Sequence, residues 1–377
     1  MTTRFLLCYD GGMATMMGSE RETKKTRVVV AMSGGVDSST AAMLLVEAGY
    51  DVVGLMIRMW SEPTPDGRPN RCCSPQSVDD ARRVARLLGI PFYLVDYEDE
   101  FKAAVVDYFV AEYARGRTPN PCLECNRQIR FGLLLQRAFD LGAEYLATGH
   151  YARIVVDGER YRLLKGVDTR KDQSYVLHVL GQEQLAHVLF PLGELTKPEV
   201  RDLARAHGLP VAEKAESQDI CFLSGTDYRP FIEARASSGL EPGPIFDEVG
   251  RLVGEHAGLA RYTVGQRHGL GLATGMPVYV TAIDARRNAL IVGPAESLLR
   301  REVTVSNVNY ISGTLPEGAF SCQVRLRYRA REAQALVTPL PERRALITFA
   351  EAQKPVSPGQ AAVFYQGDEV IGGGLIE

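Results

Sequence analysis

No stretch of the chain stays apolar for the ~20 residues that a membrane-spanning helix requires. The one apolar run near its start, FLLCY, is too short for the core of a secretion signal. A cytoplasmic protein with no membrane partner is therefore expected. A large excess of one charge is also missing. The formal net charge of −3 gives no hint of nucleic acid by itself, although a neutral total can conceal a local basic stripe. Cysteines are too sparse for a disulfide framework: seven in 377 residues, with no export signal, fit thiol, metal or persulfide chemistry instead. What remains, 45% apolar and 24% charged residues, is the composition of a globular chain. Its length suits two or three domains of about 150 residues each.

The strongest local pattern is RVVVAMSGGVDSSTAAMLLVEAG, residues 27–49. Val28, Val29, Val30 and Ala31 make the short β-branched run of a strand buried on both faces. Thr40, Ala41, Ala42, Leu44, Leu45 and Ala48 then give a helical pattern, which Gly49 can close. Between them lie Ser33, Gly34, Gly35, Val36, Asp37, Ser38 and Ser39. Adjacent glycines let the backbone turn sharply and let a ligand approach its N–H groups. Strand, Gly/Ser turn and helix N-terminus together form a cradle for an oxyanion. Two familiar signatures are absent: the GK[ST] lysine of a Walker A loop and the GxGxxG dinucleotide turn. SGGVDSS instead resembles the PP-loop of ATP pyrophosphatases, which split ATP between the α and β phosphates and adenylylate a substrate. The resemblance implies that Ser33, Gly34, Gly35, Ser38 and Ser39 hold the pyrophosphate, with Asp37 beside the phosphates and Mg²⁺.

Residues 1–25 show no periodicity and are expected to be a disordered extension, or to precede a true start at Met13, Met16 or Met17. Beyond the turn, strands at 51–59 and 90–95 alternate with helices at 76–89 and 98–115, which implies a doubly wound parallel sheet. Ligands then bind at the carboxyl ends of its strands. Residues 61–75 form a polar loop holding Cys72 and Cys73, with a structural or substrate-side role. In GRTPNPCLECN (116–126) two prolines stiffen a loop. Cys122 and Cys125 stand at its end, before a helix over 127–141, and a helix N-terminus favours the reactive thiolate. Gly149 and His150 end a strand at the same sheet edge. Residues 152–164 read as a hairpin around Asp157-Gly158. Lys171, Asp172, Gln173, Ser174 and Tyr175 open a helix, and another spans 197–207. Cys221 sits between apolar residues, as an inert buried cysteine would. After residue 240 short strands and turns dominate, and residues 301–377 suggest a small β-barrel. Arg325, Arg327, Arg329 and Arg331 alternate with Val324, Leu326, Tyr328 and Ala330. On one strand they would share a face, either simply solvated or relieved of mutual repulsion by an RNA backbone.

Taken in order, SGGVDSS, GRTPNPCLECN, TGHY, KDQSY, SQDICF, YTVGQRHGLG, PGQAAVFY and GGGLIE resemble the tRNA-specific 2-thiouridylase family from about residue 26 to the end. The resemblance implies ATP-dependent insertion of sulfur at C2 of the wobble uridine in tRNAs for Lys, Glu and Gln. It implies a PP-loop domain over 26–225, a central β-rich domain over 226–299 and a C-terminal β-barrel over 300–377. By motif position, Cys125 is the nucleophile and Cys221 carries a persulfide. Ala31, Met32, Ser33, Gly34, Gly35, Val36, Asp37, Ser38, Ser39, Ile57 and Gly149 contact ATP. Asn120, Pro121 and Cys122 meet the target base. His150, Lys171, Asp172, Gln173, Arg327, Tyr328 and Gln360 touch tRNA. One departure stands out: many members have Asp, cast as an acid/base, where this chain has Cys122. Two routes for sulfur stay open. One is a persulfide relay fed by carrier proteins and a cysteine desulfurase. The other is a [4Fe–4S] cluster on Cys122, Cys125 and Cys221, since soft thiolates suit Fe–S or Zn. Two other functions also remain: a different tRNA-modifying PP-loop synthetase, which has no use for three cysteines, and a non-enzymatic ATP- and RNA-binding protein with structural zinc.

Overall fold

The computed structural model describes residues 25–60, 74–216, 220–223, 227–273, 275–354 and 356–377. Cys72, Cys73 and all but the last residue of the N-terminal extension lie outside them. The first body is a parallel sheet. β1 (Arg27–Ala31) pairs with β2 (Asp51–Arg58) and β4 (Tyr145–Ala147). β3 (Phe92–Asp96) and β7 (Val188–Leu189) complete the order β3-β2-β1-β4-β7. Alternation along β1 sends Val29 to one face and Val28 and Val30 to the other, each into a separate apolar cluster. All three valines are fully buried, and each such side chain contributes about 1.5–3 kcal/mol relative to exposure. The strand is thereby fixed in the middle of the molecule, and the turn after it is held from both sides.

Two helical boundaries differ from the sequence reading. The helix expected over 127–141 starts at Pro121 and runs through Pro121–Glu124, Cys125–Leu133 and Leu134–Asp140, with a π-helical middle. Pro121 stands at the first helical position, where its missing N–H costs nothing, and Asn120 caps the helix through its side chain. Cys122 and Cys125 therefore lie inside the helix. The helix expected to open at Lys171 is only the short turn Ser174–Leu177. Asp172 accounts for this: its carboxylate accepts from the N–H groups of Gly166 and Ser174 and holds the preceding segment as a loop.

The hairpin β5 (Ala152–Asp157) and β6 (Arg160–Lys165) forms as read. It joins the C-terminal sheet, where Leu164 pairs with Glu369. A small mixed sheet follows from β8 (Gly243–Asp247), β9 (Leu252–His256), β10 (Tyr279–Asp284) and β11 (Ala289–Gly293). Six antiparallel strands then close a barrel: β12 (Arg300–Tyr310), β13 (Phe320–Arg325), β14 (Ala333–Leu340), β15 (Arg344–Gln353), β16 (Ala361–Gln366) and β17 (Glu369–Ile376). The order is β12-β15-β14-β13-β16-β17, and β17 pairs back onto β12. Closure leaves none of the six as a free edge.

The four-arginine face does not exist. β13 ends at Arg325, and the chain turns through Arg327 to Ala330. Arg325 is drawn inward, donating to Asp172 Oδ2 at 3.1 Å and Glu332 Oε1 at 2.7 Å. Only Arg329 and Arg331 of the four are exposed.

His178 is buried where the short Ser174–Leu177 turn meets the barrel, with Nδ1–H donating to the Tyr175 carbonyl at 2.7 Å. Burial lowers its pKa from 6.5 to about 4, despite that hydrogen bond. Below pH 6.5 the unfolded chain binds a proton that the folded chain refuses. Stability is therefore full above that pH and falls as pH drops toward 4, at about 1.4 kcal/mol per unit. The expected loss between about pH 6.5 and 5 is roughly 2 kcal/mol, read as a falling thermal midpoint, and His178→Gln should flatten that slope.

Candidate active site

The PP-loop cradle is built from local backbone geometry. Gly34 has φ +70°, and a Cβ there would lie 2.2 Å from the Ser77 carbonyl oxygen. Glycine is thus required for both conformation and space. Gly35 is the N-cap of α1 (Val36–Glu47). The N–H groups of a first helical turn have no partner within the helix and attract an anion. Ser38 Oγ accepts from the Ser33 N–H at 3.1 Å, and Ser39 Oγ donates to the Gly35 carbonyl at 2.8 Å. The hydroxyls thus fix the turn's shape. Lys214 Nζ donates to the Gly34 carbonyl at 2.9 Å and to Asp80 Oδ2 at 2.7 Å, tying the loop to α2 (Pro75–Leu88). Met32 and Val36 are buried in the core, so only their main-chain groups face outward. Gly149 packs on the start of α1: a Cβ there would lie 2.8 Å from the Ser38 nitrogen.

Sequence reasoning missed the charges around Asp37. Lys197 Nζ donates to both Asp37 carboxylate oxygens, at 2.7 and 2.8 Å, and Tyr151 O–H donates to Oδ1 at 2.7 Å. Lys197 also pairs with Glu216 at 3.2 Å, and its side chain is only 8% exposed. Lys171 donates to Glu216 as well. Burial alone would raise the Glu216 carboxyl, but the Lys171 and Lys197 ammonium groups outweigh it and hold the carboxyl below its usual range. Burial and the Asp37 charge push the Tyr151 phenol far up, so it stays a proton donor. Beside this network opens a cavity of about 530 Å³, lined by Asp168, Arg170, Lys171, Lys197, Pro198, Arg201, Asp202 and Arg205. Five of these residues are cations and two are anions, and Glu216 beside them pairs with Lys171, Lys197 and Arg201. One signal was available: Lys197 opens a helix, where the dipole favours a carboxylate.

Cys125 lies in an apolar cluster with Trp60, Phe109, Ile129 and Phe222. Cys221 packs against the same cluster, as does Ile57 at the end of β2. Phe222 anchors Cys221 through edge-on contact with Phe109, ring centroids 5.3 Å apart. Cys122 is exposed one helical turn before the buried Cys125. Among the described residues no group of three or more His, Cys, Asp or Glu side chains is placed to hold a metal ion. The three thiols, one exposed and two against an apolar wall, do not form a cluster ligand set as they stand. Cys322 is a separate barrel-core thiol that burial pushes up to about 12.

Of the residues expected to meet RNA, Asn120, Arg327 and Gln360 lie along the seam between the 116–120 loop, the small sheet and the barrel, whereas His150, Lys171 and Gln173 lie away from it. Thr118 N–H donates to the Pro358 carbonyl at 2.8 Å, Gln360 Nε2 donates to the Thr118 carbonyl at 2.8 Å, and Thr118 Oγ1 meets Thr263 Oγ1 at 3.2 Å. Arg327 donates to Ser357 Oγ at 2.7 Å, and burial lowers its pKa. Tyr328 is half-buried, its ring 6.1 Å from that of Tyr175. Gln173 accepts from the Tyr151 N–H and so positions the partner of Asp37. Asp172 is spent on Arg325, Ser174 and Gly166. His150 is buried and held neutral by desolvation and by Arg130. Arg130 can only donate, at 3.3 Å to Nε2, so the imidazole proton sits on Nδ1, shared with Thr148 Oγ1 at 2.7 Å.

Three family models match the chain: a tRNA methyl transferase HUP domain over 26–225, a tRNA methyl transferase PRC-barrel domain over 230–294 and an aminomethyltransferase beta-barrel domain over 300–376. A tRNA-specific 2-thiouridylase MnmA of Moorella thermoacetica is 55% identical over 354 residues, 93% of this chain and 99% of the relative. Its counterpart in Roseiflexus castenholzii is 50% identical over 366 residues, with the same two coverages. Among solved structures, the U34-tRNA thiolase NcsA of Methanococcus maripaludis with its [4Fe-4S] cluster is 20% identical at a TM-score of 0.34, over 57% of this chain and 67% of that one. With relatives matched over nearly their whole length, the chain belongs to the tRNA-specific 2-thiouridylase family.

Proposed function

We propose that the chain is an ATP-dependent tRNA uridine 2-sulfurtransferase, acting on the wobble uridine of tRNAs for Lys, Glu and Gln. The observation that carries this reading is the meeting of two chemistries at one sheet edge. The phosphate cradle follows β1, and the end of the adjacent strand β2 packs against the cluster that holds Cys125 and Cys221. The uracil C2 oxygen is a poor leaving group. Attack by that oxygen on the ATP α-phosphate converts it to an AMP ester and releases pyrophosphate, whose charge the α1 N-terminus and Lys197 stabilise. Mg²⁺ arrives with ATP as part of the substrate. Asp37 is the carboxylate at the loop that would meet it, once Lys197 shifts toward the phosphates. Sulfur then attacks C2 and AMP departs.

For sulfur delivery the burial pattern supports the relay. Cys221 carries a persulfide received from carrier proteins fed by a cysteine desulfurase. Cys125 attacks the inner sulfur, forming a Cys125–Cys221 disulfide and freeing sulfide. The 26–225 region supplies the ATP and thiol chemistry. The 226–299 and 300–377 regions clamp tRNA against the 116–120 loop, with Asn120, Pro121 and Cys122 at the target base and His150, Lys171, Asp172, Gln173, Arg327, Tyr328 and Gln360 along the RNA path. Those that are buried act by shaping that path. No helix among the described residues is long and apolar enough to cross a membrane, and the enzyme works in the cytoplasm.

The test is pyrophosphate release from ATP by purified protein with and without tRNA, followed by nucleoside mass spectrometry. Release that depends on tRNA, with 2-thiouridine as product, is expected. Release with a different modified nucleoside would indicate another synthetase, and no release would indicate a binding protein.

A further inference from the structure

We propose that Cys122 is a resolving thiol that renews the sulfur site from within the chain, an inference that rests on the persulfide reading above. The observation is a gradient of burial across three cysteines. Cys125 lies inside the apolar cluster at 8% exposure, Cys221 packs against it half-buried, and Cys122 is exposed. A Cys125–Cys221 bridge left by each turnover is walled by Trp60, Phe109 and Phe222. Its Cys125 end is enclosed, so a protein reductant meets it less readily than it meets the exposed Cys122. Cys122 and Cys125 stand three apart in one helix, so their side chains share a face with Cβ atoms about 5–6 Å apart. A disulfide needs about 3.5–4.5 Å. The adjustment falls at the helix start, where the winding changes from α to π at Cys125. Such a junction is a place where helices yield.

The steps balance. The Cys122 thiolate attacks Cys125 Sγ. The Cys122–Cys125 bond forms, the Cys125–Cys221 bond breaks, and the electron pair leaves on Cys221 as thiolate, ready for the next persulfide sulfur. An external protein dithiol then attacks the exposed Cys122–Cys125 bridge. It supplies two electrons, becomes a disulfide itself, and leaves both enzyme thiols reduced.

The test uses full-length enzyme loaded with persulfide, given tRNA and ATP for one turnover, then alkylated and mapped without reduction. The Cys122–Cys125 bridge is expected in the unaltered enzyme, and the Cys125–Cys221 bridge in Cys122→Ser. With thioredoxin and its reductase as electron source, Cys122→Ser should lose at least tenfold more in steady-state rate than in single-turnover rate, and a high concentration of dithiothreitol should restore the difference. Equal losses in the two rates would overturn the proposal. Cys221→Ser separates it from the relay reading. In a glutathione redox buffer this variant should still form Cys122–Cys125, and failure to do so sinks the resolving role alone. If no Cys125–Cys221 bridge is trapped even in Cys122→Ser, the relay fails and the resolving role with it.

Discussion

Cys221→Ser is expected to abolish 2-thiouridine formation, by roughly 10³-fold or more, as loss of a covalent participant does. Its tRNA-dependent pyrophosphate release should stay within a few-fold of normal. A serine hydroxyl cannot carry a transferable sulfur, whereas the phosphate cradle is made by Ser33, Gly34, Gly35 and Ser38 with Lys214 behind them. None of these groups depends on the thiol. Cys125→Ser should behave alike in product formation but leave a persulfide stranded on Cys221, detectable as a mass increase of one sulfur. Parallel loss of pyrophosphate release in both variants would show that the thiols are needed for activation and not only for sulfur transfer. Unchanged 2-thiouridine in either would end the relay.

Lys197→Met should strike the other half of the reaction. Lys197 is the cation between Asp37 and Glu216 and is almost fully enclosed. Methionine keeps the stem's volume and removes the charge. Two carboxylates would then face the position of the incoming phosphates with one balancing cation fewer. Losing one preorganised charge-stabilising donor costs about 10²–10³ in rate. Asp37, its side chain 34% exposed, would keep only the Tyr151 hydrogen bond, which lowers stability modestly. The expected result is a fall of at least ~10²-fold in pyrophosphate release together with a lower thermal midpoint. Adding Asp37→Asn should recover the midpoint without the activity, because it removes the unpaired charge and not the need for a cation at the phosphates. Pyrophosphate release within tenfold of normal in Lys197→Met would assign Lys197 to stability alone.

The parts of this site that can be read from the sequence are those whose causes lie within a few residues. The Gly34-Gly35 turn, the Asp157-Gly158 hairpin and the Gly49 helix end each follow from local backbone chemistry, and all three form. Lys197 at a helix start is a local hint of an unusual role, but its partner Asp37 lies 160 positions away and no local pattern points to it. The arginine run failed for the same reason. Strand alternation says where a side chain would point, but Asp172 and Glu332 decide where Arg325 goes and the strand ends there. Pro121 carried two meanings, loop stiffener and first helical residue. Only the Asn120 cap decides for the second, and with it the placement of both cysteines in one helix. The burial gradient across Cys122, Cys125 and Cys221 is a property of packing between distant segments, which no spacing of cysteines reveals.

The central claim is that activated carbonyl and thiol-held sulfur meet in one pocket. It is tested most directly by loading Cys221 with isotopically labelled persulfide sulfur and following one turnover with tRNA and ATP. The account predicts that the label appears in 2-thiouridine, with one AMP and one pyrophosphate released for each labelled sulfur and none transferred when ATP is omitted. Label that stays on Cys221 while unlabelled 2-thiouridine forms, or label that reaches tRNA without ATP, would contradict it.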